Sequence, residues 1–239
     1  MLYIGKNLNP VKNIFLLFIC AFYLTNGFSQ ETIERKNRLT DSVIERFYVL
    51  KSARETKEGP YKAFFKRKTL IAAGNYTKGK KTGVWQFFNT QGILVEKFDY
   101  NTNNFTFESV YNKMNDVSYL FDAKLQKGDT VTRPLKPGGV YYGYIPYLQL
   151  FRLPFDSYGV NTDAFDADIE LLVSPLGRLA EYKVHLTSGW YRYDHTVTMD
   201  VHLLNEEDQR FMPATLNGKP ILSRIIIKCF VNSEGLDFF

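Results

Sequence analysis

The chain has 239 residues, 45% of them hydrophobic, 16% aromatic and 23% charged. That is a globular composition, too rich in Phe and Tyr for disorder. Formal charge is +5, and setting aside Lys6 and Lys12 of the N-terminal leader leaves 28 basic against 25 acidic residues, a net of +3. So small an excess, without a cluster of Lys and Arg, argues against nucleic acid as a partner.

The N-terminus reads as a leader. Two lysines precede an eleven-residue apolar run from Ile14 to Leu24, and Gly27 and Ser29 stand at −3 and −1 to a cut before Gln30. These are the parts of a secretory signal, predicted over residues 1–29, which places the mature protein in the periplasm or outside the cell. The run falls short of the ~20 apolar residues that span a bilayer, so no transmembrane span is expected after cleavage. Ile19 occupies the position where a lipidated Cys20 would need a small residue. After cleavage Cys229 is the one remaining thiol, which excludes an internal disulfide.

Residues 30–135 repeat. Gly59, Tyr61, Phe64, Leu70 and Tyr76 recur as Gly83, Trp85, Phe88, Leu94 and Tyr100, each 24 positions later. Each unit runs from an aromatic strand through a turn to a second strand ending in Tyr, the grammar of a hairpin. The stretch SVIERFYVLKS predicts another strand, and FTFESVYNK a third, decayed unit. The Gly-x-aromatic start and the passage from Gly74 to Trp85 resemble MORN-like repeats over roughly residues 58–104. The same aromatics either pack a repeat core or, through Tyr61, Trp85 and Tyr100, form a platform for a ligand such as cell-wall glycan.

From residue 136 the pattern changes. In DADIELLV, Ile169, Leu171 and Val173 share a face; SPLG at 174–177 is a turn; in LAEYKVHL, Tyr182, Val184 and Leu186 share a face. Asp194 is placed to cap a helix carrying Val197, Val201 and Leu204, with His195 and His202 on it. A last strand, LSRIIIKCFV, sets Ile225, Ile227, Cys229 and Val231 inward, with Cys229 a core residue. The expectation is therefore an α+β protein: a hairpin-repeat sheet over 30–135, then a small β-β-α-β domain over 136–239.

The passage FMPATLNGKP resembles the stretch before the last strand of TonB-type C-terminal domains through Phe211, Pro213, Ala214, Gly218, Lys219 and Pro220. Pro137, Gly138 and Gly139 resemble the motif preceding that domain in Bacteroidetes-type members. The resemblance implies a binder that recognises an extended receptor segment by adding a strand near residues 222–230. Leu222, Arg224, Ile226, Lys228 and Phe230 are the surface it implies. The alternative is that this strand only completes the sheet or pairs with a second copy. The long Pro-rich spacer of an energy transducer is absent from the sequence.

A catalytic constellation is not readable. The histidines lack the spacing of a metal site, the Ser-containing turns lack G-x-S-x-G, and GKKTG lacks the spacing of a phosphate loop. The sequence thus predicts a non-enzymatic exported module without cofactor or metal, which binds an envelope protein. The other reading is an envelope scaffold or glycan-binding protein that works through its aromatic repeats.

Overall fold

The computed structural model describes residues 31–239 apart from residues 111, 114, 157, 234 and 239; the predicted signal, with Cys20, lies outside the described residues. The first half is a meander. Strands β1 (Thr32–Arg38), β2 (Val43–Leu50), β3 (Lys57–Phe65), β4 (Thr69–Thr77), β5 (Lys80–Phe88), β6 (Leu94–Asp99) and β7 (Asn104–Glu108) form one seven-stranded antiparallel sheet, each pairing with the next in sequence. The 24-residue period is one hairpin. Gly59 pairs with Tyr76, and at the equivalent place Tyr100 N–H donates to the Gly83 carbonyl at 3.0 Å.

On the inner face of this sheet Tyr61, Trp85 and Phe87 are buried. Trp85 lies directly over Gly74, where a Cβ would stand 2.2 Å from the indole ring. Glycine stands at this one position because no side chain fits beneath the tryptophan; one period later the equivalent residue is Phe98.

The chain continues through β8 (Val117–Phe121), β9 (Val131–Thr132), helix α1 (Ile145–Leu150), β10 (Asp166–Val173), β11 (Leu179–Ser188), β12 (Tyr193–Thr198), β13 (Ala214–Leu216), β14 (Lys219–Ile221), β15 (Ser223–Asn232) and β16 (Gly235–Asp237). A second antiparallel sheet has the order β12-β11-β10-β15, with β8 and β16 both on the far side of β15. A small third sheet orders β14-β13-β9. Ile169, Leu171, Val173, Tyr182, Val184 and Leu186 are fully buried as their alternation predicts, and so are Ile225 and Ile227. Cys229 sits in the same face at 2% exposure, and burial pushes its thiol well above the usual range.

The α+β expectation is overturned. The protein is mostly β, with three antiparallel sheets, and α1 is a six-residue helix outside the predicted place. The start of the helix predicted after Asp194 lies instead in strand β12, Tyr193–Thr198, paired in register with β11. Thr196, Val197 and Thr198 are β-branched and fit the pleated edge better than a helix. Asp200, rather than Asp194, makes the cap: its carboxylate accepts from His202 N–H at 2.9 Å, over a single 3-10 turn. No helix therefore leads into Pro213. The passage around it is stitched to its surroundings, with Phe211 N–H donating to Gly177 O at 2.9 Å and Met212 exchanging bonds with Leu135. Asn217 and Gly218, both with positive φ, make the tight β13–β14 turn, the conformation that Asn-Gly favours.

Between the two large sheets runs a middle layer that pattern reading did not anticipate. Residues 136–151 pack Tyr142 against Tyr61 and Phe87 of the first sheet, and Tyr147 against Tyr182 of the second. Tyr142 donates to the Tyr61 hydroxyl at 2.7 Å, and Tyr182 to the Tyr147 carbonyl at 2.7 Å. One continuous apolar core results, from Val43 in β2 to Phe238 beyond β16. The layer enters through a buried clasp. Gly138 N–H donates to Glu96 Oε1 at 2.7 Å, and Lys136 Nζ donates to the carbonyls of Glu207 and Arg210 at 3.1 and 3.3 Å. Burial raises the Glu96 carboxyl to about 7, against the lowering bonds from Gly138, Gly139 and Asn112. Burial lowers Lys136 to about 8. Gly138 has φ +122°, and a Cβ there would stand 2.4 Å from the Gly143 backbone, which explains glycine at that place in the PGG motif.

Candidate functional site

The predicted strand-adding surface lies in the middle of a sheet. β15 pairs with β10 along residues 223–230, and its other side is taken by β8 over 223–227 and β16 over 230–232. Between them Lys228 N–H donates to Asp116 O at 2.8 Å. The backbone of 222–230 is therefore not an open edge. The side chains expected outward do face outward: Arg224, Ile226 and Phe230 are partly exposed, with Leu222 just before the strand, and Lys228 is exposed. They belong to a polar sheet face on which Glu170 bridges Arg224 Nε and His185 Nε2, each at 3.1 Å.

The predicted aromatic platform is interior as well. Tyr61 and Trp85 are buried at 1% and 0% exposure, and Tyr100 is partly buried, edge-on to Trp85. Trp85 Nε1 donates to Asn75 O at 3.2 Å, which satisfies its polar atom inside the protein. These rings are a packed ladder, and of the three only Tyr61 lines a cleft.

Two solvent-facing features have the geometry of a site. The first is strand β12, which ends the second sheet: among the described residues it pairs with β11 alone, in unbroken register from Ser188–Tyr193 to Lys183–Thr198. Asp194, Thr187 and Asp166 stand side by side across three strands, all exposed, on one sheet face. At the hairpin tip Trp190 is 83% exposed, and Tyr158 on the neighbouring loop is 93% exposed. The tip is supported from below: Tyr191 stacks on Phe165 and accepts from Asn161 N–H at 2.9 Å.

The second feature is a cleft of about 420 Å³ between the first sheet, the middle layer and residues 203–208. Two lysines line it. Lys57 Nζ lies 3.0 Å from Glu45 Oε2 and sits over the rings of Phe47, Tyr61 and Tyr76. Lys81 Nζ lies 3.2 Å from Glu207 Oε2 and sits over Trp85 and Tyr100. Burial disfavours the Lys81 ammonium, but the surrounding Tyr100, Tyr76 and Tyr142 oxygens and the Glu207 carboxylate more than offset this and hold it charged. Burial likewise raises Tyr76 and pushes Tyr100 up to about 12. Their hydroxyls therefore stay protonated donors at any physiological pH.

Sequence reading passed over both lysines, although they too are spaced by the 24-residue period and each stands four positions before its ring, Tyr61 or Trp85. The histidines do not share a helix, since His195 lies in β12 and His202 in a 3-10 turn. Among the described residues no group of three His, Cys, Asp or Glu side chains is placed to hold a metal ion, and no helix is long and apolar enough to cross a membrane. Comparison with protein-family models, with curated proteins and with solved structures finds no match to this chain.

Proposed function

We propose that the protein is an exported, non-enzymatic binding module of the cell envelope that takes an extended segment of another envelope protein as an added strand. The observation that carries this reading is the outer edge of β12. It is six residues long, β-branched over Thr196, Val197 and Thr198, in unbroken register and without Pro or Lys, so apart from the charge of Asp194 it lacks the features that usually protect an edge from pairing. Its backbone groups offer affinity to any extended chain, and neighbouring side chains supply selectivity. The row of Asp194 and Asp166 favours basic residues on the incoming segment. Trp190 and Tyr158 supply aromatic anchors beside it. The resemblance carried by Phe211, Pro213, Ala214, Gly218, Lys219 and Pro220 supports the same class of partner, with the edge at β12 rather than at 222–230.

The test is a titration of isotope-labelled protein with peptides of alternating Val/Lys or Val/Glu sequence, about ten residues long to match a strand. The Val/Lys peptide is expected to shift the amides of residues 193–198, the Val/Glu peptide to shift them far less, and Thr196→Pro to abolish the effect. Absence of any shift at millimolar peptide, or shifts confined to other strands, refutes the reading. Self-association through residues 193–198 would assign the edge to a second copy instead.

A further inference from the structure

We propose that the cleft between the first sheet and the middle layer is a separate binding site for a neutral carbohydrate. Its charged lining is Glu45 and Asp208 against Lys57 and Lys81, with Glu207 behind Lys81, so it carries no net positive charge. Both ammonium groups are engaged by carboxylates and seated over rings, so the cleft holds no open cation for an anionic ligand. The aromatic faces that would cage a foreign cation are already occupied by the protein's own lysines.

What remains for a ligand is a set of rim amides. Asn37 Nδ2 donates to Glu45 Oε1 at 3.3 Å, Gln149 Nε2 to Leu39 O at 2.9 Å, and Asn205 Nδ2 to Asp208 Oδ2 at 3.4 Å. Each amide spends one N–H on the protein and is oriented by it. Each keeps its oxygen and its second N–H for the cleft. A hydroxyl group, which donates and accepts at once, matches that pairing; a carboxylate or phosphate, which only accepts, leaves the amide oxygens unmet. Tyr76, Pro146 and Leu150 give apolar surface for the C–H faces of a sugar ring. The volume of about 420 Å³ lies within the range of small-molecule sites. This site involves the opposite sheet from β12 and stands or falls independently of the strand-adding edge.

The experiment follows the side-chain amide resonances of Asn37, Gln149 and Asn205 while the protein is titrated with cello-, malto- and chito-oligosaccharides, and separately with oligogalacturonate. Saturable shifts of these amides with a neutral series, and weaker or no shifts with the anionic one, are expected. Which neutral series binds identifies the source of the glycan. Asn37→Ala and Asn205→Ala are each expected to weaken binding about fivefold, the worth of one hydrogen bond. Both residues are exposed, so the fold survives, and Gln86→Ala on the outer face of β5 should leave binding unchanged. Failure of every neutral oligosaccharide to move these amides at millimolar concentration overturns the assignment. So does equal or tighter binding of oligogalacturonate, or unaltered affinity in both Asn variants.

Discussion

Lys57 and Lys81 hold their ammonium groups over equivalent ring pairs one repeat apart. Lys57 lies 5.2 Å from the Tyr61 ring and 5.3 Å from Tyr76; Lys81 lies 5.4 Å from Trp85 and 5.2 Å from Tyr100. The repeat thus preserves a charged contact as well as a hydrophobic one. The two differ in what neutralises them. Glu45 has a side chain 5% exposed, whereas that of Glu207 is 39% exposed. Lys57→Met strands a buried carboxylate with Asn37 as its remaining partner, and should cost about 3 kcal/mol, the low end for a buried pair because the lysine is partly exposed. Lys81→Met leaves a carboxylate that water reaches and should cost less, about 1 kcal/mol. Urea unfolding of the two variants checks the order.

Gly74→Ala places a methyl group inside the indole of Trp85, which cannot retreat because it is itself buried. Overpacking of this kind costs about 1–3 kcal/mol. The variant should melt several degrees lower, with a changed near-ultraviolet signal from Trp85. An unchanged melting temperature would mean that the indole does not lie over the glycine.

The Glu96–Lys136 clasp makes stability depend on pH in a defined direction. Glu96 is raised from 4.5 to about 7, so the native state keeps a proton that the unfolded chain has lost. Its contribution is present below about 4.5 and disappears as pH rises to about 7. Lys136 is lowered from 10.5 to about 8, so between those values the unfolded chain binds more protons and stability rises with pH. The two together put a minimum between pH 7 and 8, up to about 3 kcal/mol deep on the acid side. Denaturant midpoints measured across pH 4–10 should trace it, and Glu96→Gln should flatten the acid limb.

Trp190 packs against little, so Trp190→Ala should change stability by less than about 0.5 kcal/mol. The same substitution should weaken Val/Lys peptide binding several-fold, because an exposed tryptophan beside an open edge is an anchor. Equal affinities of the two proteins would remove the tip from the binding surface.

The sequence made the strands legible where side chains alternate against a single buried face. Ile169, Leu171 and Val173 opposite Tyr182, Val184 and Leu186 are such a case, as are the hairpins phased by Gly59 and Gly83. It misled where three apolar residues, Val197, Val201 and Leu204, met a helical spacing by coincidence while β-branched neighbours favoured a strand. Strand order was the larger gap. No local pattern reports that β8, about 100 residues before β15 in the chain, returns with β16 to cover it, or that β12 is a strand and stands at the other end of the same sheet. The middle layer was missed for a related reason: Tyr141, Tyr142, Tyr144 and Tyr147 follow no single period, because they serve two sheets at once.

Amide hydrogen exchange at β12 and β15, with and without the Val/Lys peptide, tests the central claim most directly. The account predicts slow exchange throughout residues 223–231 in both states. It predicts fast exchange at every second amide of 193–198 in the free protein, slowing when peptide is present. Fast exchange along 223–231 that slows with peptide, with no change in 193–198, would contradict it and restore the edge to the last long strand.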